Sequence, residues 1–223
     1  MNITIHRGAH QIGGSCIELA TKTTCILLDI GKALPSLDET IPVDTELLPG
    51  VKAIIDKKVV DAVLISHSHG DHVGLIGQVN SKIPVYIGKA ALHIYNTTAL
   101  FIGGNALANP TIFFDSSHSL IIGDFTVSPY LVDHSGYDAY GFVIEAGGKS
   151  VVYTGDFRDH GKKAKATAYF KNHLPTEIDA LLIEGTMMSR STEALATEDQ
   201  IEKKAHELMQ SSNQPVGKYR FVY

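Results

Sequence analysis

Short runs of apolar and β-branched residues, separated by glycine or polar turns, dominate the first two thirds of the chain. Residues 62–66 form an apolar run of the kind found in strands that are buried on both faces. The dipeptides Gly123-Asp124 and Gly147-Gly148 are typical of two-residue hairpin turns. The pattern predicts strands over residues 2–6, 15–20, 24–30, 62–66, 85–87, 111–114, 119–122, 125–132, 139–145, 150–154 and 179–183.

Helical patterns fall between these runs. They predict helices over residues 51–58, 73–80, 89–100, 164–172 and 192–211, and residues 197–199 are expected to cap a turn within the last helix. The strands come in hairpin groups, with helices between the later strands. This order favours an α+β fold of two packed sheets with helices outside, over an all-β sandwich or a strict alternation of strand and helix.

The composition is that of a globular protein. Of 223 residues, 44% are hydrophobic and 19% are charged, which suffices for a buried core and argues against disorder. No apolar stretch approaches the roughly 20 residues that span a bilayer, so we expect no membrane partner. The net charge of -5 argues against binding nucleic acid by bulk charge, although a local basic groove stays open. Cys16 and Cys25 are too few to cross-link such a domain, which favours buried thiols and a cytoplasmic location.

One segment concentrates the candidate chemistry. The run His67-Ser68-His69-Gly70-Asp71-His72 directly follows the apolar run at residues 62–66. Imidazole nitrogens and carboxylate oxygens are the ligands that zinc prefers. Four donors in one loop exceed the three that a single catalytic ion needs, so the loop predicts two metal ions. The alternative is a surface loop that happens to be rich in histidine.

Two further strand ends can complete the ligand set. His134 follows the predicted strand at residues 125–132, and Asp156 follows the strand at residues 150–154. Binding residues gather in loops at strand ends on a layered scaffold. Taken alone, each segment is better interpreted as a polar turn. Beside the histidine loop, a metal ligand at each position is the better interpretation.

These residues together resemble a known family. The set of His67, His69, Asp71, His72, His134 and Asp156 is similar to that of the metallo-β-lactamase superfamily. Residues 133–135, 155–158 and 183–186 resemble its β-CASP branch, which processes nucleic acids and includes ribonuclease J. The resemblance implies an αββα sandwich, with two mixed sheets flanked by helices, that is incomplete at its carboxy terminus. It also implies a catalytic domain at residues 1–190 and the start of an inserted domain at residues 191–223.

The resemblance implies a role for each candidate residue. The ligands expected for a first zinc are His67, His69 and His134. A second zinc would be held by Asp71 and His72, with Asp156 bridging the pair, and manganese is the alternative metal. The candidate catalytic residues are Asp71, Glu184, which would orient the site, and Ser135, which would meet the scissile phosphate. The glycine-rich loop at residues 8–15 would lie beneath the metals, and His10 and Asp133 are candidates for orienting the imidazoles.

The implied activity is hydrolysis of a phosphodiester in RNA, with DNA as the alternative substrate and with exonuclease and endonuclease cleavage both open. Two dications would activate water at neutral pH and neutralise the charge that develops on a phosphoryl oxygen. A thioester or lactone hydrolase of the glyoxalase II type and an inactive metal-binding remnant stay open as alternatives. A basic cluster after Asp156 would contact phosphates or form a solvated turn. It comprises Arg158, Lys162, Lys163 and Lys165.

The sequence departs from the family at its end. The family resumes its catalytic domain after the insertion and adds late histidines, whereas this sequence stops at Tyr223. His206 lies within the predicted helix at residues 192–211 and does not resemble the missing ligand. We therefore expect the amino-terminal part of a longer nuclease, with a weaker second metal site. An unfinished sheet leaves an open edge, which favours a homo-oligomer.

Overall fold

In a computed structural model, the chain folds into two mixed β-sheets with helices on their outer faces. The structure describes residues 1–34, 46–57, 59–188 and 196–211. The six strands of the first sheet are, in spatial order, β1 (Asn2–Arg7), β2 (Cys16–Ala20), β3 (Cys25–Leu28), β4 (Ala62–Leu64), β5 (Val85–Gly88) and β6 (Thr111–Phe114). The five strands of the second are β11 (Ala180–Leu182), β10 (Lys149–Tyr153), β9 (Tyr140–Ala146), β8 (Phe125–Leu131) and β7 (Leu120–Ile122).

Both sheets contain antiparallel and parallel strand pairs. In the first sheet, β1 to β3 pair antiparallel, whereas β3 to β6 run parallel. In the second, β7 to β10 pair antiparallel, and β11 joins β10 in parallel. The turn between β9 and β10 has φ angles of 57° at Gly147 and 71° at Gly148, so glycine relieves the strain of two consecutive left-handed residues there.

Alternating side chains on the strands build three apolar layers. The central layer lies between the sheets, where Leu28 of β3 and Phe142 of β9 are fully buried. The neighbouring Leu27 points to the opposite face, where Ile55 packs against it from an outer helix. On the far side of the second sheet, Phe170 packs against the outward-facing Val143 and Val152. The architecture is therefore the αββα sandwich that the resemblance implies.

The described helices are α1 (Pro49–Asp56), α2 (Gly70–Val73), α3 (Lys89–Phe101), α4 (Ala164–Asn172) and α5 (Glu198–Ser211). No residue of α5 is buried. The backbone N–H of Gln200 donates to Thr197 Oγ1 at 3.2 Å, and the Thr197 N–H donates to Gln200 Oε1 at 2.8 Å. This reciprocal pair is a capping box, so Thr197 caps the start of α5 and not a turn inside it. Over the described ranges, no helix has the length and apolarity needed to cross a bilayer.

One predicted helix is wrong. Residues 73–80 were expected to be helical, but α2 ends at Val73 and only a 3-10 turn follows at Ile76–Gln78. The reason is a tertiary hydrogen bond. The N–H of Leu75 donates to Ile30 O at 2.9 Å, while the N–H of Ile30 donates to His72 O at 2.8 Å, so the loop after β3 takes the bonds that a longer helix needs.

The predicted second unit is described only in part. Within residues 191–223, the structure describes residues 196–211, and the division of the chain at residue 190 stays a prediction. The predicted helix at 192–211 begins at Glu198 among the described residues, and its first four predicted residues lie outside them.

The central layer yields a stability prediction. Replacing Phe142, which is 0% exposed, with alanine should lower the free energy of unfolding by about 3–5 kcal/mol, because a large cavity opens between the sheets. The matched control is Phe101→Ala at a side chain that is 91% exposed, with an expected change within about 0.5 kcal/mol. Urea unfolding followed by circular dichroism measures both variants. Equal effects of the two substitutions would contradict this packing.

Candidate metal centre

Three strand ends meet at one edge of the sandwich. The loop after β4 begins at Ile65 and leads through Ser66 and His67 into α2. From the second sheet, β8 leads to His134 and β10 leads to Asp156. The ends are tied together by a backbone bond, since the Tyr140 N–H donates to Ser66 O at 3.0 Å. Residues far apart in sequence therefore share one site.

The side chains that the sequence singles out approach closely. The ring nitrogens of His67, His69 and His134 all lie within 4.8 Å of one another. Donor atoms of His67, His72 and Asp156 form a second such group. Between individual atoms, His134 Nε2 lies 3.0 Å from His69 Nδ1, and His72 Nε2 lies 3.3 Å from Asp156 Oδ1.

Two carboxylates extend these groups: Asp156 belongs to the second group, and Asp71 lies beside its His72. Asp156 also approaches His134 of the first group, because its Oδ2 lies 3.9 Å from His134 Nε2. Asp71 Oδ2 lies 3.8 Å from His72 Nε2, on the side of the cluster that faces the glycine-rich loop. The structure therefore brings all six predicted ligands into one cluster, with Asp156 between its two halves.

The buried Nε2 of His67 provides a test of whether a metal ion fits among these donors. His67 is fully buried, and its Nδ1 lies 3.0 Å from Ser66 Oγ. Its Nε2 has no hydrogen-bond partner within the part of the chain that the structure describes. Leaving a buried polar atom unpaired costs about 1–3 kcal/mol, so a native protein rarely does so without a ligand. A divalent ion among these nitrogens would supply the missing partner.

The protonation states suit a metal as well. Burial, together with the neighbouring imidazoles, holds the pKa of His67 well below its ordinary value. Burial also lowers the pKa of His69, and it lowers the pKa of His134 to about 4 despite the charge of Asp156. These three imidazoles are therefore neutral at pH 7, which is the form that binds metal.

A buried carboxylate that sequence analysis missed holds the site together. Asp29 follows β3 and is 0% exposed. It accepts hydrogen bonds from the Ser66 N–H at 2.7 Å, Ser66 Oγ at 2.7 Å, His72 Nδ1 at 2.7 Å and the Tyr153 hydroxyl at 2.5 Å. Its φ of 56° lies in the left-handed region, which aims the carboxylate at these donors. The available signal was a single acidic residue at the end of the apolar run Cys25–Leu28.

Charge balance at His72 follows from these contacts. Burial alone would lower the pKa of His72, but the charge of Asp29 and the hydrogen bonds that His72 donates to Asp156 and Asp29 raise it above its ordinary value. In return, the hydrogen bond and charge of His72 outweigh burial and lower the pKa of Asp156. In the metal-free chain, a proton on His72 thus balances two carboxylates. A divalent cation would displace that proton and take over its role.

A cleft of about 560 Å³ opens beside the cluster, and Asp71, His72, Asp156 and Glu184 line it. Glu184 is half-buried and accepts the N–H of Phe157 at 3.2 Å and that of Thr186 at 3.3 Å. It therefore fixes the backbone directly after Asp156. The predicted Ser135 is exposed beside His134, and the predicted His10 lines the cleft.

The glycine-rich loop packs against Asp71. The Ser15 N–H donates to Asp71 O at 2.9 Å. Gly13 has a φ of 76°, and a Cβ at this position would lie 2.9 Å from Asp71 Oδ2. Only glycine lets the loop approach this carboxylate so closely.

Two expectations about neighbouring residues change. Asp133 accepts the N–H of Gly161 at 2.7 Å and lies 3.5 Å from Arg158 Nε, so it braces a backbone turn and does not orient an imidazole. Arg158 also contacts Glu198 at 2.5 Å, and Lys162 contacts Asp199 at 2.5 Å. These two cations of the predicted basic cluster thus pair with the acidic start of α5.

A family model supports the same assignment. The description "beta-lactamase superfamily domain" matches residues 33–210, and the chain belongs to this superfamily. An RNase J-like protein of Methanocaldococcus jannaschii is 30% identical over 201 residues, which are 82% of this chain and 42% of that protein. A ribonuclease J of Mycoplasma pneumoniae is 25% identical over 156 residues, which are 68% of this chain and 27% of that protein. The chain thus spans less than half the length of either relative.

Solved structures agree on the fold. A protein of Enterococcus faecalis superposes with a TM-score of 0.76 at 23% identity, covering 93% of this chain and 57% of that one. A subclass B3 metallo-β-lactamase from a soil metagenome library superposes with a TM-score of 0.52 at 18% identity, covering 76% and 72%. The sandwich described above is therefore the metallo-β-lactamase fold, as the sequence predicts.

The role of Asp29 yields a prediction with a defined pH dependence. Because the pKa of His72 is raised on folding, this pair adds stability that is fully present below about pH 6.5 and is lost as the pH rises through the folded pKa. In chelator, Asp29→Asn should lower the free energy of unfolding by about 3 kcal/mol near pH 6, and by less at alkaline pH.

The exposed carboxylate Asp56, which pairs with Lys52, provides the control. Asp56→Asn should cost no more than about 0.5 kcal/mol at any pH. Urea titrations of both variants across the pH range measure the difference. A loss in Asp29→Asn that does not vary with pH would contradict the proposed charge balance.

Proposed function

We propose that the chain is a metal-dependent hydrolase that cleaves phosphodiester bonds of RNA at a two-metal centre. The observation that carries the proposal is the buried His67 Nε2, which has no hydrogen-bond partner among the described residues and belongs to both groups of converging donors. Structural packing alone gives no reason to bring four imidazoles together, with His67 and His72 buried and His69 and His134 half-buried. A pair of dications gives that reason, because neutral ring nitrogens and carboxylate oxygens can coordinate them.

The donors divide naturally between two ions. The first ion would be held by His67, His69 and His134, whose ring nitrogens lie within 4.8 Å of one another. The second would be held by Asp71 and His72, whose donor atoms lie 3.8 Å apart. Asp156 would bridge them, because its two oxygens face His72 and His134 respectively. Zinc suits this mixed set of nitrogen and oxygen ligands, and manganese is the alternative.

When bound, such ions supply an activated water and neutralise charge on a phosphoryl oxygen. The protein's own groups then serve orientation. Asp29 holds His72 through Nδ1, which leaves Nε2 facing the cleft. Glu184 fixes the turn after Asp156, and Ser135, which is exposed and follows His134 in the chain, would donate its hydroxyl to a phosphate oxygen.

RNA is the substrate class that the relatives favour. The two relatives described above carry the names RNase J-like protein and ribonuclease J. The cleft beside the cluster is about 560 Å³, which is room for a nucleotide and not only for a small ester. A chain with net charge of -5 needs local recognition of RNA, and dications held by these ligands would provide it.

Metal content tests the centre directly. Protein purified without chelator should hold two equivalents of zinc or manganese by elemental analysis. His69→Ala should lose metal and lower the rate of RNA hydrolysis by at least about 100-fold, because a ligand is removed. The control is His173→Ala at an exposed imidazole directly after α4, which belongs to neither group of metal-binding donors and should keep both properties. Full metal occupancy in His69→Ala would refute the ligand assignment.

Substrate comparison tests the reaction class. We expect the metal-loaded chain to hydrolyse single-stranded RNA faster than the same DNA sequence, and to leave a glutathione thioester intact. Product analysis by gel electrophoresis and thiol release measures the three reactions under equal conditions. Thioester hydrolysis without RNA cleavage would place the chain with small-molecule hydrolases. Tight metal binding without any turnover would indicate an inactive remnant.

A further inference from the structure

A second cleft, of about 630 Å³, lies at the start of α3 and takes no part in the site described above. Four aromatic side chains line it: Phe114 and Tyr140 are buried, whereas Phe113 is 48% exposed and Tyr137 is 65% exposed. Lys89, His93 and His118 also line it, and all three are exposed. The carboxylates of Asp115 and Asp138 line it as well, and each accepts a backbone N–H group of the chain. Exposed aromatic rings beside cationic and imidazole groups are unusual on a surface that serves only solubility.

The cleft is a direct neighbour of the metal centre. Tyr137 follows Gly136, and a Cβ at Gly136 would lie 3.1 Å from His67, 3.3 Å from His69 and 3.4 Å from His134. Because consecutive Cα atoms are about 3.8 Å apart, Tyr137 lies within about 11 Å of His134 along the chain. A bound strand that reaches the metal centre therefore needs only one or two nucleotides to enter the second cleft.

Tyr137 is held in place as a platform. Lys163 Nζ lies 3.4 Å from Gly136 O and 5.5 Å from the centre of the Tyr137 ring, a cation–π contact on the exposed loop. This contact fixes the ring without burying it. A preorganised aromatic face loses little entropy when a planar ligand stacks on it.

Two other ligand types do not fit the cleft. The free amides at the start of α3 are already occupied, because Asp138 Oδ2 accepts the N–H groups of Ala90 and Ala91 at 2.8 Å and 3.1 Å. A bare anion thus finds no helix terminus to bind. A metal is also disfavoured, since neither group of close donors found among the described residues includes His93 or His118.

We propose that this cleft is a nucleotide subsite that binds the RNA strand next to the scissile phosphodiester. The proposal rests on the proposed function and deepens it. A base stacks on Tyr137 and its neighbour on Phe113, while Lys89 faces the phosphate between them. Stacking accepts any base, so the subsite adds affinity for single-stranded RNA without sequence preference. Lys89 makes no ion pair with any described residue, which leaves its charge to the phosphate.

Kinetics on a ten-nucleotide RNA test the subsite. In the metal-loaded chain, Tyr137→Ala and Phe113→Ala should each raise KM about tenfold with little change in kcat, because the contact is remote from the reacting bond. Tyr137→Phe keeps the ring and should restore the wild-type KM. Phe101→Ala is the control, since Phe101 is an exposed aromatic at the opposite end of α3 and lies outside the cleft.

A binding measurement separates this proposal from the proposed function. Fluorescence anisotropy of the same labelled RNA in chelator reports affinity without cleavage, and Tyr137→Ala should weaken it about tenfold. If wild type cleaves RNA and both alanine variants keep its KM and affinity, the subsite is refuted and the proposed function stands. If wild type neither binds nor cleaves RNA, both are refuted.

Discussion

The site depends on one buried carboxylate. Asp29 lies at the end of β3 and gathers hydrogen bonds from Ser66, His72 and Tyr153, which belong to both sheets. A fully buried charge is costly unless its lone pairs are satisfied, and here four donors satisfy them. The same contacts fix the strand ends relative to one another. The buried charge of Asp29 thus aligns the side chains that face the cleft.

The imidazole cluster next to Asp29 favours chemistry over the stability of the metal-free fold. Imidazoles of His67, His69 and His134 lie side by side with their pKa values lowered by burial, and one buried nitrogen lacks a partner among the described residues. None of this stabilises an apo domain. The apolar layers, above all the one between the sheets, supply the folding free energy that tolerates such a cluster. A bound metal would then link the two sheets through their own donors.

Much of this architecture could be predicted from sequence because it is encoded locally. The strands at residues 111–114 and the helix at residues 164–172 have the predicted bounds, and the histidine loop follows a buried strand as expected. What failed depends on tertiary contacts. The helix predicted over residues 73–80 loses its hydrogen bonds to the loop after β3, and Arg158 pairs with α5 instead of standing free. The sequence does not single out Asp29, because one acidic residue at a strand end has no distinctive pattern. Only the fold shows its four hydrogen-bond donors.

The superfamily membership and the metallo-β-lactamase fold agree with the local chemistry, and the proposed two-metal RNA hydrolase joins these findings. Its central claim is that strand ends from both sheets converge to bind a pair of ions. Anomalous diffraction at the zinc edge from crystals grown with zinc tests that claim most directly. The account predicts two peaks, one at about 2.0–2.1 Å from His67 Nε2 and one beside His72 and Asp71, with Asp156 between them. Absence of any peak at the cluster, with His67 Nε2 instead bonded to water, would contradict it.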